Sequence, residues 1–169
     1  MIGTRQTAAA QYYSVRTNGL LWLTGTINGS FGVALSKKWS LDITAAYNPI
    51  VTKNLRASFG LLQEGFRKWS FDDNIGFFWG MHLSEALYDF GNADHHFKGF
   101  TVGLGASVGY TMYLSRRWNL CFELGASVLY MNDKKEQYFT PDSQDEIRYN
   151  YSRWAVAPTK ADISIVYLF

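Results

Sequence analysis

The chain has 169 residues, with 16 Lys and Arg against 14 Asp and Glu, a formal net charge of +2, and 17% aromatic residues. That length supports one domain, and the balanced charge and high aromatic content argue against a nucleic-acid binder or a disordered tail. No run approaches the ~18 apolar residues of a membrane helix, and Cys121, the single cysteine, excludes an intrachain disulfide.

At the start of the chain, Ala8-Ala9-Ala10 before Gln11 resembles the small-residue cleavage site of an export signal. Residues 1–10 are therefore read as a residual signal peptide or disordered N-terminus, and 11–169 as one domain. Period-two alternation then divides the domain into eight strands: Tyr12 to Leu23, Ser30 to Leu35, Trp39 to Asn48, Leu55 to Lys68, Ile75 to Tyr88, Phe100 to Leu114, Trp118 to Tyr130 and Thr159 to Phe169.

The third strand sets Trp39, Leu41, Ile43, Ala45 and Tyr47 on one face and Ser40, Asp42, Thr44, Ala46 and Asn48 on the other. In the fourth, Gln63, Glu64, Arg67 and Lys68 break simple alternation, and a bulge near Gly65 would resolve the conflict. The sixth presents Thr101, Gly103, Gly105, Ser107, Gly109 and Thr111 as a small, polar face. The seventh repeats the third, from Trp118 through Leu120, Phe122 and Leu124 to Tyr130. In the eighth, Ala161, Ile163, Ile165, Tyr167 and Phe169 oppose Lys160, Asp162, Ser164, Val166 and Leu168.

Aromatic residues at strand ends, aliphatic residues between them and a terminal phenylalanine match lipid-facing strands that meet two headgroup interfaces. The fold expected is all-β: a closed, eight-stranded antiparallel up-and-down transmembrane β-barrel of the bacterial outer membrane. Trp39, Tyr47, Trp118, Tyr130, Tyr167 and Phe169 are its membrane-interface aromatics. The outer face meets outer-membrane lipid and lipopolysaccharide, and the C-terminal strand engages the barrel-assembly machinery. A soluble lipocalin-like barrel would put the apolar face inside instead.

Ser36 to Trp39, Ser115 to Trp118 and Trp69 to Asn74 are short links, whereas Gly91 to Lys98 and Asn132 to Pro158 are long and polar. Short periplasmic turns and longer outer loops are the ordinary asymmetry of such barrels.

The inward face collects Arg16, Asp42, Arg67, His82, Glu123, Lys160 and Asp162, charges of both signs that must pair to be buried. They are expected to plug the lumen; a small pore is the alternative. His82 and Ser84 share a strand face and resemble the histidine and serine of lipid A deacylases, which makes a lipid A-modifying hydrolase a further alternative. Cys121 reads as a space-filler rather than a nucleophile. Asp94, His95 and His96 lie in a loop with no further ligand implied, so no metal or cofactor is expected.

Ser14 to Leu21, Ala34 to Asn48, Ser115 to Leu124 and Ala157 to Ser164 together resemble an uncharacterised Bacteroidetes outer-membrane β-barrel family (domain of unknown function 3575), similar in architecture to the barrel of outer membrane protein A. Gly32 and Gly65 stand where that family often has acidic residues. The resemblance implies a small exported barrel without established activity or cofactor, in a structural or accessory role, with a surface or fimbrial protein as partner for its outer loops.

Overall fold

The computed structural model describes residues 13–51, 56–91, 95–137 and 147–169. The reading of residues 1–10 as a signal remnant lies outside them, as do Asp94 and part of the long link from Asn132 to Pro158. Eight strands follow one another: β1 (Tyr13–Asn18), β2 (Ile27–Ser36), β3 (Trp39–Asn48), β4 (Arg56–Trp69), β5 (Gly76–Gly91), β6 (His95–Tyr113), β7 (Trp118–Gln137) and β8 (Ile147–Leu168). Each pairs antiparallel with the next, and β8 returns to β1 from Ser14↔Leu168 to Asn18↔Ser164, so the eight strands form a ring.

The ring is polar inside. Along β1 the exposed residues Tyr13, Val15 and Thr17 alternate with buried Ser14, Arg16 and Asn18. The same alternation buries Ser40 and Asp42 of β3, Gln63 and Arg67 of β4, and Glu123 and Ser127 of β7, while Leu41, Ile43, Phe66, Leu124 and Val128 stand exposed. A water-soluble fold buries its apolar faces; this ring turns them outward.

Five of the expected elements are corrected. The first strand does not reach Leu23. It stops at Asn18, whose side chain accepts from Leu20 N at 2.9 Å and caps a short helix, α1 (Gly19–Leu23). Asn28 bridges the gap this opens, its Oδ1 accepting from Asn18 N at 2.7 Å and its Nδ2 donating to Asn18 O at 3.0 Å. The apolar run Leu20–Leu23 hid the helix start by prolonging the apparent strand.

The long connections are also shorter than read, because β6 already begins at His95, β7 runs on to Gln137 and β8 starts at Ile147. His95 and His96 thus belong to a strand. The eighth strand extends past Pro158 because the β7–β8 register shifts between Gly125↔Lys160 and Ala126↔Pro158. This bulge reverses the facing of the distal part of the strand, so that Thr159 joins Lys160 on the inner side. Proline, which lacks a donor, is tolerated at such a place. In the fourth strand no bulge forms: the ladders to β3 and β5 run without a shift, placing Gln63, Gly65 and Arg67 inward and Glu64 and Lys68 outward.

The interior glycines of β6 give space to larger neighbours. A Cβ on Gly105 would lie 2.1 Å from Ser127 Oγ and 2.8 Å from His82 Nε2, whereas Gly60, on the outer face, has nothing within 4 Å. Gly105→Ala should therefore destabilise the folded ring by about 1–3 kcal/mol, and Gly60→Ala should leave it nearly unchanged. Urea unfolding of the two variants side by side, followed by tryptophan fluorescence, checks the contrast.

Candidate functional site: a buried charge network in the interior

Arg16, Asp42, Arg67, His82, Glu123, Lys160 and Asp162 are all buried in the ring. Arg67 is central: its Nε lies 3.3 Å from Asp42 Oδ1 and its Nη2 2.5 Å from Glu123 Oε2. Arg16 Nη2 approaches Asp42 Oδ2 at 3.5 Å, and Lys160 Nζ sits 3.2 Å from Glu123 Oε1 and 3.8 Å from Asp42 Oδ2. Ser107 donates to Glu123 Oε1 at 2.7 Å, and Ser164 donates to Asp162. Three cations thus share the interior with three carboxylates, which is the condition for holding either sign away from water.

Gly65 is needed here for room. A Cβ at this position would stand 2.7 Å from Asp42 Oδ1, so the glycine lets that carboxylate lie against the strand opposite.

One layer further along, His82 Nε2 is 2.9 Å from Thr159 Oγ1 and 3.0 Å from Ser127 Oγ, and these two hydroxyls are 2.6 Å apart. Gln63 Nε2 donates to Ser84 Oγ at 3.0 Å and to Thr159 O at 2.9 Å. His82 and Ser84 share this layer, but no hydrogen bond joins them. Sequence reading missed the roles of Ser127 and Thr159, since Thr159 faces inward only because of the bulge at Pro158.

The end of the ring where β1 begins and β8 ends is filled by an apolar cluster of Trp69, Phe78, Cys121, Val166 and Leu168. Trp69, read from the sequence as part of a turn, is the last residue of β4; it points inward, and its Nε1 donates to Ser40 Oγ at 2.8 Å. The β4–β5 turn folds across this end, and Asn119 Nδ2 secures it by donating to Asn74 O at 2.8 Å. Asn74 itself takes a positive φ of 61°, which asparagine tolerates.

On the outside, aromatic residues gather near the same end. Trp39 stacks on Phe66 at 4.8 Å, Trp118 meets Tyr167 edge-on at 4.9 Å, and Tyr167 lies 5.8 Å from Phe169. Lys68, outward on β4, places its ammonium 5.2 Å from the Trp39 ring and 5.7 Å from Trp79. Towards the other end, Tyr130 contacts Trp154 at 5.2 Å and Tyr47 is exposed.

Polar and charged groups inside, apolar groups outside and eight antiparallel strands in a ring define an inverted β-ring protein. The family model described as "Protein of unknown function (DUF3575)" matches residues 1–169, and the chain belongs to that family. No curated protein matches the chain. No solved structure matches it.

Two expectations follow from the network and the turn beneath it. Arg67→Met leaves Asp42 and Glu123 short of their shared cation and should destabilise the fold by about 3–5 kcal/mol, whereas Lys37→Met in an exposed turn should change it by no more than about 0.5 kcal/mol; urea titration of the folded protein measures both.

The second concerns Asp73, in the β4–β5 turn, where burial pushes the carboxyl up to about 6 although Ser40, Arg16 and Asn74 oppose the shift. The folded form therefore binds more protons than the unfolded form between about pH 4 and 6, and stability from this group falls as pH rises through that window. Asp73→Asn should be the more stable protein at pH 7.5, by about 1–3 kcal/mol, with the advantage gone near pH 3.5. Denaturation midpoints at the two pH values check it.

Proposed function

We infer that this protein is a small β-barrel of the bacterial outer membrane whose role is structural or accessory. The supporting observation is the inversion of polarity: buried Arg16, Asp42, Arg67 and Glu123 face one another inside the ring, while Phe31, Ile43, Phe66, Met81, Val108, Leu124 and Ile165 are exposed around it. Water would penalise so continuous an apolar exterior, and a bilayer supplies the complementary solvent.

Strands suit that solvent when their backbone groups are paired, and the ring pairs each strand with its neighbours, β1 with β8 from Ser14↔Leu168 to Asn18↔Ser164. No helix among the described residues is long and apolar enough to cross a membrane, so in this reading the strands make the crossing. Trp39, Trp118, Tyr167 and Phe169 mark one headgroup interface, and Tyr130 and Trp154 the other. The terminal strand is the handle for the assembly machinery, and the outer loops form the contact surface for a surface or fimbrial protein.

The ion network and the cluster around Trp69 and Phe78 close the middle and one end of the interior, which supports a plug rather than a pore. Unboiled protein refolded in detergent should migrate faster on a denaturing gel than boiled protein, while protein kept in buffer alone should show no such band. A monodisperse soluble β-protein without detergent would overturn the membrane assignment. In planar bilayers the folded protein should give no discrete conductance steps; steps that persist after repurification would replace the plug by a pore.

A further inference from the structure

Above the layer of Gln63, His82 and Thr159 the interior changes character. A cavity of about 950 Å³ opens there, walled by Phe59, Leu61, Ala86, Tyr88, Leu129 and Met131. That volume stands at the upper end of ordinary ligand pockets, ~300–1,000 Å³. At its mouth Arg153 Nη2 lies 3.4 Å from Asp133 Oδ2, and Tyr88 donates to Asp133. The ion network needs none of these apolar side chains.

The wall of this cup is incomplete. Its lining residues come from β4 to β8, and among the described residues none belongs to β1, β2 or β3. The gap in the wall is at β1, which ends at Asn18 opposite Ser164 while β8 continues to Ile147 paired with β7 alone; β3 rises to Asn48, beside the lining residue Phe59. On that side the ring is cut down to the level of α1. The notch lies at membrane depth in the barrel reading, because β8 has no β1 partner beyond Ser164 and reaches Trp154, paired with the interface aromatic Tyr130, only further along the same strand.

The surfaces beside the notch are apolar. On one side α1 exposes Trp22 and Leu23, the latter at 84%; on the other, β8 exposes Trp154 at 73% and Val156 at 77%. The apolar outer face is thus continuous, over a short wall, with an apolar interior cup.

We propose that the cup takes a hydrocarbon chain of a bilayer lipid, entering sideways over α1 between β8 and β3. This rests on the membrane-barrel reading. The chain occupies the space between Leu61, Leu129 and Met131, and the headgroup stays at the rim, where the Arg153 guanidinium, half exposed, is placed to meet its phosphate. No bond is made or broken; the function is binding.

The alternation of β7 provides the test, since Leu129 and Met131 line the cup whereas Val128 faces outward. The protein is reconstituted in phosphatidylcholine vesicles containing a phosphatidylcholine with a diazirine in one acyl chain, irradiated, and its adducts mapped by mass spectrometry. The proposal expects adducts on Leu61, Leu129 and Met131 as well as on outward residues. Ala86→Trp, which fills the cup, should reduce the inward adducts at least fivefold and leave the outward ones; Thr101→Leu, a smaller intrusion from β6, should lower them in part if the tryptophan variant does not fold.

Outward adducts alone, on protein with normal heat-modifiable mobility, would overturn the proposal and leave the membrane barrel standing. Protein recovered in the aqueous phase without adducts would overturn both. Inward labelling that survives in both folded variants would show that the chain lies elsewhere and would also overturn it.

Discussion

The contact on which most of the structure depends is that between Arg67 and its two carboxylates, Asp42 and Glu123. Through Arg16 and Lys160 it extends to β1 and β8, so five of the eight strands meet across the interior at one electrostatic knot. A soluble protein gains its inward drive from apolar side chains; here that drive is absent from the middle of the ring. Ion pairing, small inward residues on β6 and the obligatory pairing of backbone groups determine instead which face is in.

Burial of this kind favours specificity over gross stability. A single charge deprived of its partner inside the ring is heavily penalised, so a strand shifted by one residue would turn Arg67 or Asp42 outward and be rejected. Glycines reinforce the selection. At Gly65 and Gly105 the neighbouring strand or a large side chain already fills the place of a Cβ, and a register that brought any larger residue there would collide with Asp42 or with His82.

Much of this was legible in the residues. Strict alternation in β3, in the first half of β7 and at the end of β8 shows both faces, and Trp39–Asn48 is the strand read from the sequence. Asp42, Glu123, Lys160 and Asp162 follow from that alternation. What escaped was whatever broke or outlasted it. Asn18 ends a strand through a side-chain cap that period two does not register, the bulge at Pro158 reverses facing within a continuous strand, and polar residues after Tyr130 read as loop although they form paired strand. The apolar cup was illegible for a related reason: Phe59, Leu61, Leu129 and Met131 are hydrophobic residues on the inward face, which ordinary reasoning about an inverted fold assigns to lipid. Trp69 was hidden by its place at a turn.

The unequal strands have a kinetic consequence. β1 spans only six residues and is matched by four pairs to β2 and five to β8, whereas β6, β7 and β8 are about three times as long. Neighbouring long strands can zip as local hairpins with little loop-closure entropy, while the β1–β8 seam joins the two extremities of the chain. Closing that seam carries the largest loop-closure cost of any pairing in the ring, and Arg16, on the short strand that closes it, ties the seam to β3 by reaching Asp42.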